Sequence, residues 1–213
     1  MIPYLQIRAR YDSRCIVVYQ AYGDAIADAA LEAQRFVPPF SVTRMTWVKP
    51  SFLWMMERCG WATKSNQERV LAVHLFRERW EAALELAATT SFVRGVDRDV
   101  EAWRQRCARA PVRVQWDPER SLRGGKLAYR SIQVGLGRAV AAEYAKTWIS
   151  RIEDVTPLVK KLRELRRRGE HDRAATLLPV ERPYPLSEAL NARLGNLELG
   201  NPGTAVDEAL EPK

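Results

Sequence analysis

Residues 111–136, PVRVQWDPERSLRGGKLAYRSIQVGL, carry the clearest strand signal in the chain. Val112, Val114 and Trp116 alternate with Arg113, Gln115 and Asp117. That is the two-residue period of a strand with one apolar and one polar face. Gly124-Gly125 supplies a tight reversal, and KLAYRSIQVGL resumes with β-branched and aromatic residues. The pattern predicts an antiparallel hairpin. Pro118 is expected to end the first strand early, because proline brings no N–H to the ladder.

Working towards the N-terminus, residues 67–76, QERVLAVHLF, read as a buried strand, and RERWEAALELAATT follows as a helix with Trp80, Ala83, Leu84 and Ala87 on one stripe. Asp97 is placed to cap a helix carrying Val100, Trp103 and Cys107 up to Pro111. Residues 15–22, CIVVYQAY, are β-branched and aromatic. Alternation puts Ile16, Val18, Gln20 and Tyr22 on one face, and Val17, Tyr19 and Ala21 on the other. Asp24 then suits the N-cap of a helix over AIADAALEAQRF, with Ile26, Ala30 and Ala33 on one side and Pro38-Pro39 as its stop. SVTRMTWVK is extended, since Lys49 precedes a proline. Pro50 fits the first turn of a short helix, PSFLWMMERCG, closed by Gly60.

Beyond the hairpin, Gly135 and Gly137 lead into a long helical pattern, RAVAAEYAKTWISRIED. Thr156-Pro157 opens a further helix, LVKKLRELRRRG, ended by Gly169. The expected order is β-α-β-α-β-α-α-β-β-α-α. The fold class is therefore α+β: a mixed, largely antiparallel central sheet with flanking helices, in one domain over 1–178. Residues 179–213 are proline-rich and read as a tail lying on that domain or partly mobile.

Thirty-four Lys plus Arg against 26 Asp plus Glu give +8, a balance suited to an anionic partner. No apolar run approaches the roughly 20 residues of a membrane span, and MIPYLQIRARYD lacks the pattern of a signal peptide. Cys15, Cys59 and Cys107 are far apart and in no CxxC pair, which points to reduced thiols, a cytoplasmic location and no metal site. With only His74, inside an apolar run, and His171, in a charged one, histidine-based nucleophilic catalysis is disfavoured. GLGRAV at 135–140 has Val140 where a dinucleotide fingerprint needs Gly or Ala, and no P-loop motif exists.

Three stretches set polar groups beside aromatic ones: Gln20 between Tyr19 and Tyr22; Arg44, Lys49 and Ser51 with Trp47 and Trp54; and Tyr129, Arg130, Ser131 and Gln133. Each fits a structural hydrogen-bond network. Each equally fits a cleft in which aromatic faces stack a planar ring while Arg or Lys holds phosphate. KKLRELRRR at 160–168 has two readings as well. It is either a solvated helix with cations at the negative end of its dipole or a phosphate-contacting patch of a nucleic-acid-binding module. A Trp-rich interaction surface is a third possibility if Trp54 and Trp61 are exposed.

The segments VYQAY, ADAALEAQRFVPPF, RMTWVKPSFLWMMERCGWATK, QERVLA, PVRVQWDPER and YRSIQVGL resemble an uncharacterised microbial and fungal family, domain of unknown function 4291, over about Ile7 to Thr156. A second likeness is to the ADP-ribosyltransferase-like fold, which starts with a strand pairing a polar residue with an aromatic and carries a late strand whose acidic or glutamine residue orients a ribose. That likeness implies a protein binding NAD or a related nucleotide. Gln20 would take the early polar position and Gln133 the late one, as the catalytic pair. Tyr19, Arg44, Trp47, Lys49, Ser51, Tyr129 and Arg130 would bind the cofactor. Both glutamines depart from the commonest residues at those positions.

Overall fold

In the computed structural model, residues 3–94 and 96–195 are described. The strands are β1 (Arg8–Ala9), β2 (Cys15–Tyr22), β3 (Thr46–Val48), β4 (Arg69–Phe76), β5 (Ala87–Thr89), β6 (Val112–Arg120), β7 (Lys126–Leu136), β8 (Ile149–Asp154) and β9 (Arg182–Pro183). The helices are α1 (Asp24–Ala33), α2 (Phe52–Cys59), α3 (Arg77–Glu85), α4 (Val100–Arg109), α5 (Arg138–Glu143), α6 (Thr156–Arg167), α7 (His171–Ala175) and α8 (Glu188–Arg193). The fold is mixed α+β. Its sheets are antiparallel apart from the parallel pair β5–β6.

One sheet runs β2-β4-β8 and the other β3-β7-β6-β5. They touch where Tyr19 and Lys49 exchange backbone hydrogen bonds, Tyr19 N–H to Lys49 O at 2.7 Å and the return bond at 3.4 Å. The alternation of β2 sorts its side chains between two cores. Ile16 and Val18 join Leu71, Val73 and Leu75 of β4 in the larger core, which also takes Val48, Val112, Val114, Ile132, Val134 and Leu136 from the second sheet. Val17 and Tyr19 face the other way, onto Phe52, Met55 and Met56 of α2 and Val159, Leu162 and Leu165 of α6. The three-stranded sheet is thus covered on both faces. The four-stranded one turns an apolar face inward and leaves Gln115, Asp117 and Gln133 on the other.

Several local expectations are corrected. Residues 149–154 are strand β8, paired with β4, rather than the end of a long helix; α5 stops at Glu143 and a π-helical turn over Tyr144–Trp148 joins the two. Pairing with the central strand β4 satisfies one edge of β8, Gln34 satisfies the outer N–H and C=O of Ile152, and Ile152 is buried, which together outweigh the helical pattern. β6 continues past Pro118 to Arg120, with the ladder shifting register between those residues, so the irregularity absorbs the missing donor. Asp99, not Asp97, caps α4 by accepting from the Ala102 N–H at 2.7 Å. Asp97 instead pairs with Arg106 and accepts from the Val93 N–H. Gly23 stands at the N-cap of α1 and Asp24 in its first turn. Ser51 caps α2, which leaves Pro50 outside the helix, and Gly60 ends it in the left-handed conformation.

Of the expected tail, residues 179–195 pack on this body, and 196–213 lie outside the described residues. β9 pairs with β1, Tyr184 is buried, and α8 delivers Leu190 and Leu194 to the larger core. Among the described residues no helix is long and apolar enough to cross a membrane.

Candidate functional site

The polar face of the four-stranded sheet and α2 form the two walls of a cleft of about 280 Å³. From β3 and the residue after it come Trp47 and Lys49, from β7 Gln133, from β6 Gln115 and Asp117, and from α2 Trp54 and Arg58. Register explains the convergence. Trp47 pairs with Gly135 and Val48 with Val134, so Lys49 follows beside Gln133. Gln115 lies opposite Gln133 and Asp117 opposite Ser131, which leaves Asp117 on the diagonal from Gln133. Trp54 and Arg58 are four residues apart and share one side of α2. A Cβ at position 135 would come within 3.0 Å of the Trp47 ring and 2.7 Å of Met45 Sδ. Glycine there lets the indole lie close to the sheet.

Asp117 is the fixed point of the floor. Its Oδ1 accepts from Gln115 Nε2 at 2.9 Å and its Oδ2 from Gln133 Nε2 at 2.7 Å. Burial pushes its carboxyl above the usual range, opposed by those two amides and by the charge of Arg58. Both amides spend a donor on the carboxylate, so each turns its remaining acceptor elsewhere. Lys49 is the other buried charge, only 6% exposed. Burial, then the nearby Arg58 guanidinium, lower its ammonium to about 8, with Asp117 acting in the opposite direction. Among the described residues Lys49 Nζ makes no hydrogen bond or ion pair, and the buried Trp54 Nε1 has no partner either.

The residues named from sequence divide sharply. Trp47, Lys49 and Gln133 meet in the cleft. Gln20 does not reach it. Its Nε2 donates to Tyr22 Oη at 2.7 Å and Thr46 Oγ1 at 2.9 Å, while its Oε1 accepts from the Tyr144 hydroxyl. Tyr19 is buried edge-on to Phe52, with ring centroids 5.3 Å apart. Arg44 is exposed on the loop before β3. Ser51 accepts from the Trp54 N–H at 3.1 Å. Arg130 holds Tyr4 Oη at 2.6 Å and Trp116 O at 3.3 Å. Tyr129 is half-buried, its phenol raised by burial and by Glu119. Trp54 and Trp61 are both buried, so neither offers an exposed aromatic surface.

Arg58, Gln115 and Asp117 were not singled out by their sequence context. The last two do stand in the polar half of the alternation over 112–117, which is the signal that places them on one face.

A second cleft, of about 260 Å³, is lined by Asp12, Arg14, Cys15, His74, Ser150 and Arg151. There His74 Nε2 already lies 3.5 Å from Glu153 and 3.4 Å from Arg151, and burial lowers its pKa. Among the described residues no group of three or more His, Cys, Asp or Glu is placed to hold a metal ion.

The family described as Domain of unknown function (DUF4291) matches residues 6–184. The chain belongs to this family. The DUF4291 match covers every strand of both main sheets, all residues of the Trp47–Trp54 cleft, the basic helix α6 and β9. It therefore extends well past Thr156, the expected limit of the resemblance. No curated protein matches the chain.

Proposed function

We propose that the Trp47–Trp54 cleft binds a nucleotide, in the manner of an ADP-ribosyltransferase-like protein, with NAD as the first ligand to test. The observation that carries this reading is Lys49: a side chain 6% exposed whose ammonium has no hydrogen bond or ion pair among the described residues, beside Arg58, in a hollow with two indoles. A buried cation is costly until an anion meets it, and a phosphate answers both Lys49 and Arg58. Trp47, half-buried on the sheet, offers a face for a planar base, and the buried Trp54 closes the opposite wall.

The volume, about 280 Å³, falls just below the usual span of small-molecule sites, which run from about 300 to 1,000 Å³. The cleft would hold one nucleotide half of a dinucleotide, with the remainder outside. Gln133, held by Asp117, would orient a ribose hydroxyl through its Oε1. If the nicotinamide–ribose bond is cleaved there, the oxocarbenium-like state needs positioning and negative charge nearby. Asp117 is the carboxylate available.

The α6 cations give less to a nucleic-acid partner. Arg167 and Arg168 bind Glu164, while Arg163 and Arg166 donate to the backbone oxygens of Trp61 and Leu122.

Isothermal titration with NAD and with ADP tests the reading. We expect saturable binding that Arg58→Ala weakens about tenfold or more, the loss of one charged hydrogen bond. No heat at millimolar ligand would remove nucleotides from the account.

A further inference from the structure

We propose that Lys49 is an imine-forming amine, which takes small anionic carbonyl compounds, aldehydes or 2-oxo acids, into the Trp47–Trp54 cleft. The inference shares that cleft with the nucleotide reading but does not depend on nucleotide binding.

The geometry is what an amine nucleophile needs. The backbone of Lys49 is pinned on both sides, to Tyr19 through two hydrogen bonds and to Pro50 by the chain, so the root of the side chain is fixed. The side chain is buried and lines the cleft, and among the described residues its Nζ has no hydrogen bond or ion pair to hold the proton in place. The charged or titratable groups acting on it are Arg58 and Cys59 from α2 and Asp117 from β6. Arg58 disfavours a second positive charge nearby and, with no side-chain partner among the described residues, is placed to hold a carboxylate or phosphate. A lysine desolvated beside another cation is activated by the same physics in enzymes that work through a Schiff base.

The step balances without any co-reactant. The neutral Nζ adds its lone pair to the carbonyl carbon, and a C–N bond forms. The proton lost from nitrogen goes to the former carbonyl oxygen, giving a carbinolamine. That hydroxyl takes one more proton and leaves as water while nitrogen closes the C=N bond. The net change is amine plus carbonyl to imine plus water. The proton that the hydroxyl takes and the one that the iminium nitrogen then loses are exchanged with water in the open cleft, beside the Asp117 carboxylate.

Borohydride-type trapping tests this on the full chain. The protein is incubated at pH 7.5 with glyoxylate, and in a parallel arm with pyridoxal 5′-phosphate, then reduced with sodium cyanoborohydride and mapped by peptide mass spectrometry. At that pH an amine titrating near 8 is neutral about two-hundredfold more often than an ordinary lysine near 10.4. We expect Lys49 to be modified first among the seven lysines, at least about tenfold ahead of exposed Lys126 and Lys160. Its rate should rise with pH to a midpoint near 8, and Arg58→Ala should slow it. The proposal is overturned if Lys49 stays unmodified after Lys126 has reacted, or if its labelling keeps rising towards pH 10 as an exposed lysine does. Titration calorimetry on the unmodified protein reads nucleotide binding separately, so either idea can fail while the other stands.

Discussion

Gln20 shows what a buried amide does when nothing else can take its place. It is 3% exposed and joins Tyr22, Thr46 and Tyr144, the last reached across 124 residues of sequence. Burial pushes the phenols of Tyr22 and Tyr144 far above their ordinary value, so both remain neutral donors and acceptors. Gln20→Ala removes the shared partner of three hydroxyls: Tyr22 and Thr46 keep each other at 3.3 Å, while the buried Tyr144 hydroxyl is left with a desolvation penalty beside an emptied space. We expect a loss of about 2–4 kcal/mol, read as a lowered midpoint in urea unfolding with an unchanged slope. A variant as stable as the wild type would show that the network does not hold the fold. From sequence Gln20 and Lys49 looked alike, each a polar residue among aromatics. They differ because Gln20 faces the larger core from β2 while Lys49 ends β3 at a cleft, a distinction of facing and not of residue type.

At the scale of elements, α2 is the piece on which the site depends. Ser51 satisfies the Trp54 N–H, and Glu181, from the segment before β9, accepts from the Phe52 N–H at 2.7 Å. A helix N-terminus favours a negative group, but burial pushes the Glu181 carboxyl up to about 8, with Glu119 adding to the rise and Arg8 opposing it. The folded state therefore keeps a proton that the unfolded chain releases near pH 4.5. Stability from this group is full below that value and is lost as pH rises through about 8. Glu181→Gln keeps an acceptor for Phe52 and has no proton to lose. We expect its melting temperature to exceed that of the wild type by several degrees at pH 8.5 and to match it near pH 5, measured by scanning calorimetry. A wild-type melting temperature that stays flat between those values would contradict the account.

The same scale explains which elements were legible. Strict alternation over 112–117, and an apolar run broken by Gly23, marked strands whose local pattern agrees with their final environment. β8 was not legible because AAEYAKTWISRIED keeps apolar residues at helical spacing straight through the π-helical turn. No glycine or proline separates helix from strand there. Only the pairing of Leu71–Val73 with Ile152–Asp154, across some eighty residues, decides it. β5 and β1 are too short for any period to register, being three and two residues long.

For the whole molecule, residues 179–195 are part of the folded body. Arg8 donates to Glu181 O, Trp116 Nε1 donates to Leu194 O at 3.0 Å, and Tyr184 packs between Arg77 and Tyr11. With Tyr184, Leu190 and Leu194 buried, each contributing roughly 1.5–3 kcal/mol of transfer free energy, a chain ending at Leu178 should be strongly destabilised. Thermal unfolding by circular dichroism should show a midpoint lowered by about 10 °C or more, or no cooperative transition. An unchanged midpoint would mean that this segment rests on the domain without holding it.

Sequence alone determined the α+β class, the hairpin at 112–136, the two-faced β2 strand and the membership suggested by the Trp-Lys-Pro segment, because each is written in neighbouring residues. It also brought forward Trp47, Lys49 and Gln133. Tertiary structure decided that these three share a cleft with Trp54, Arg58, Gln115 and Asp117 while Gln20, Tyr19 and Arg44 do not. Facing across a sheet depends on strand register and on which wall a helix covers. Both are set by pairings between residues far apart in the chain, and no local pattern encodes them.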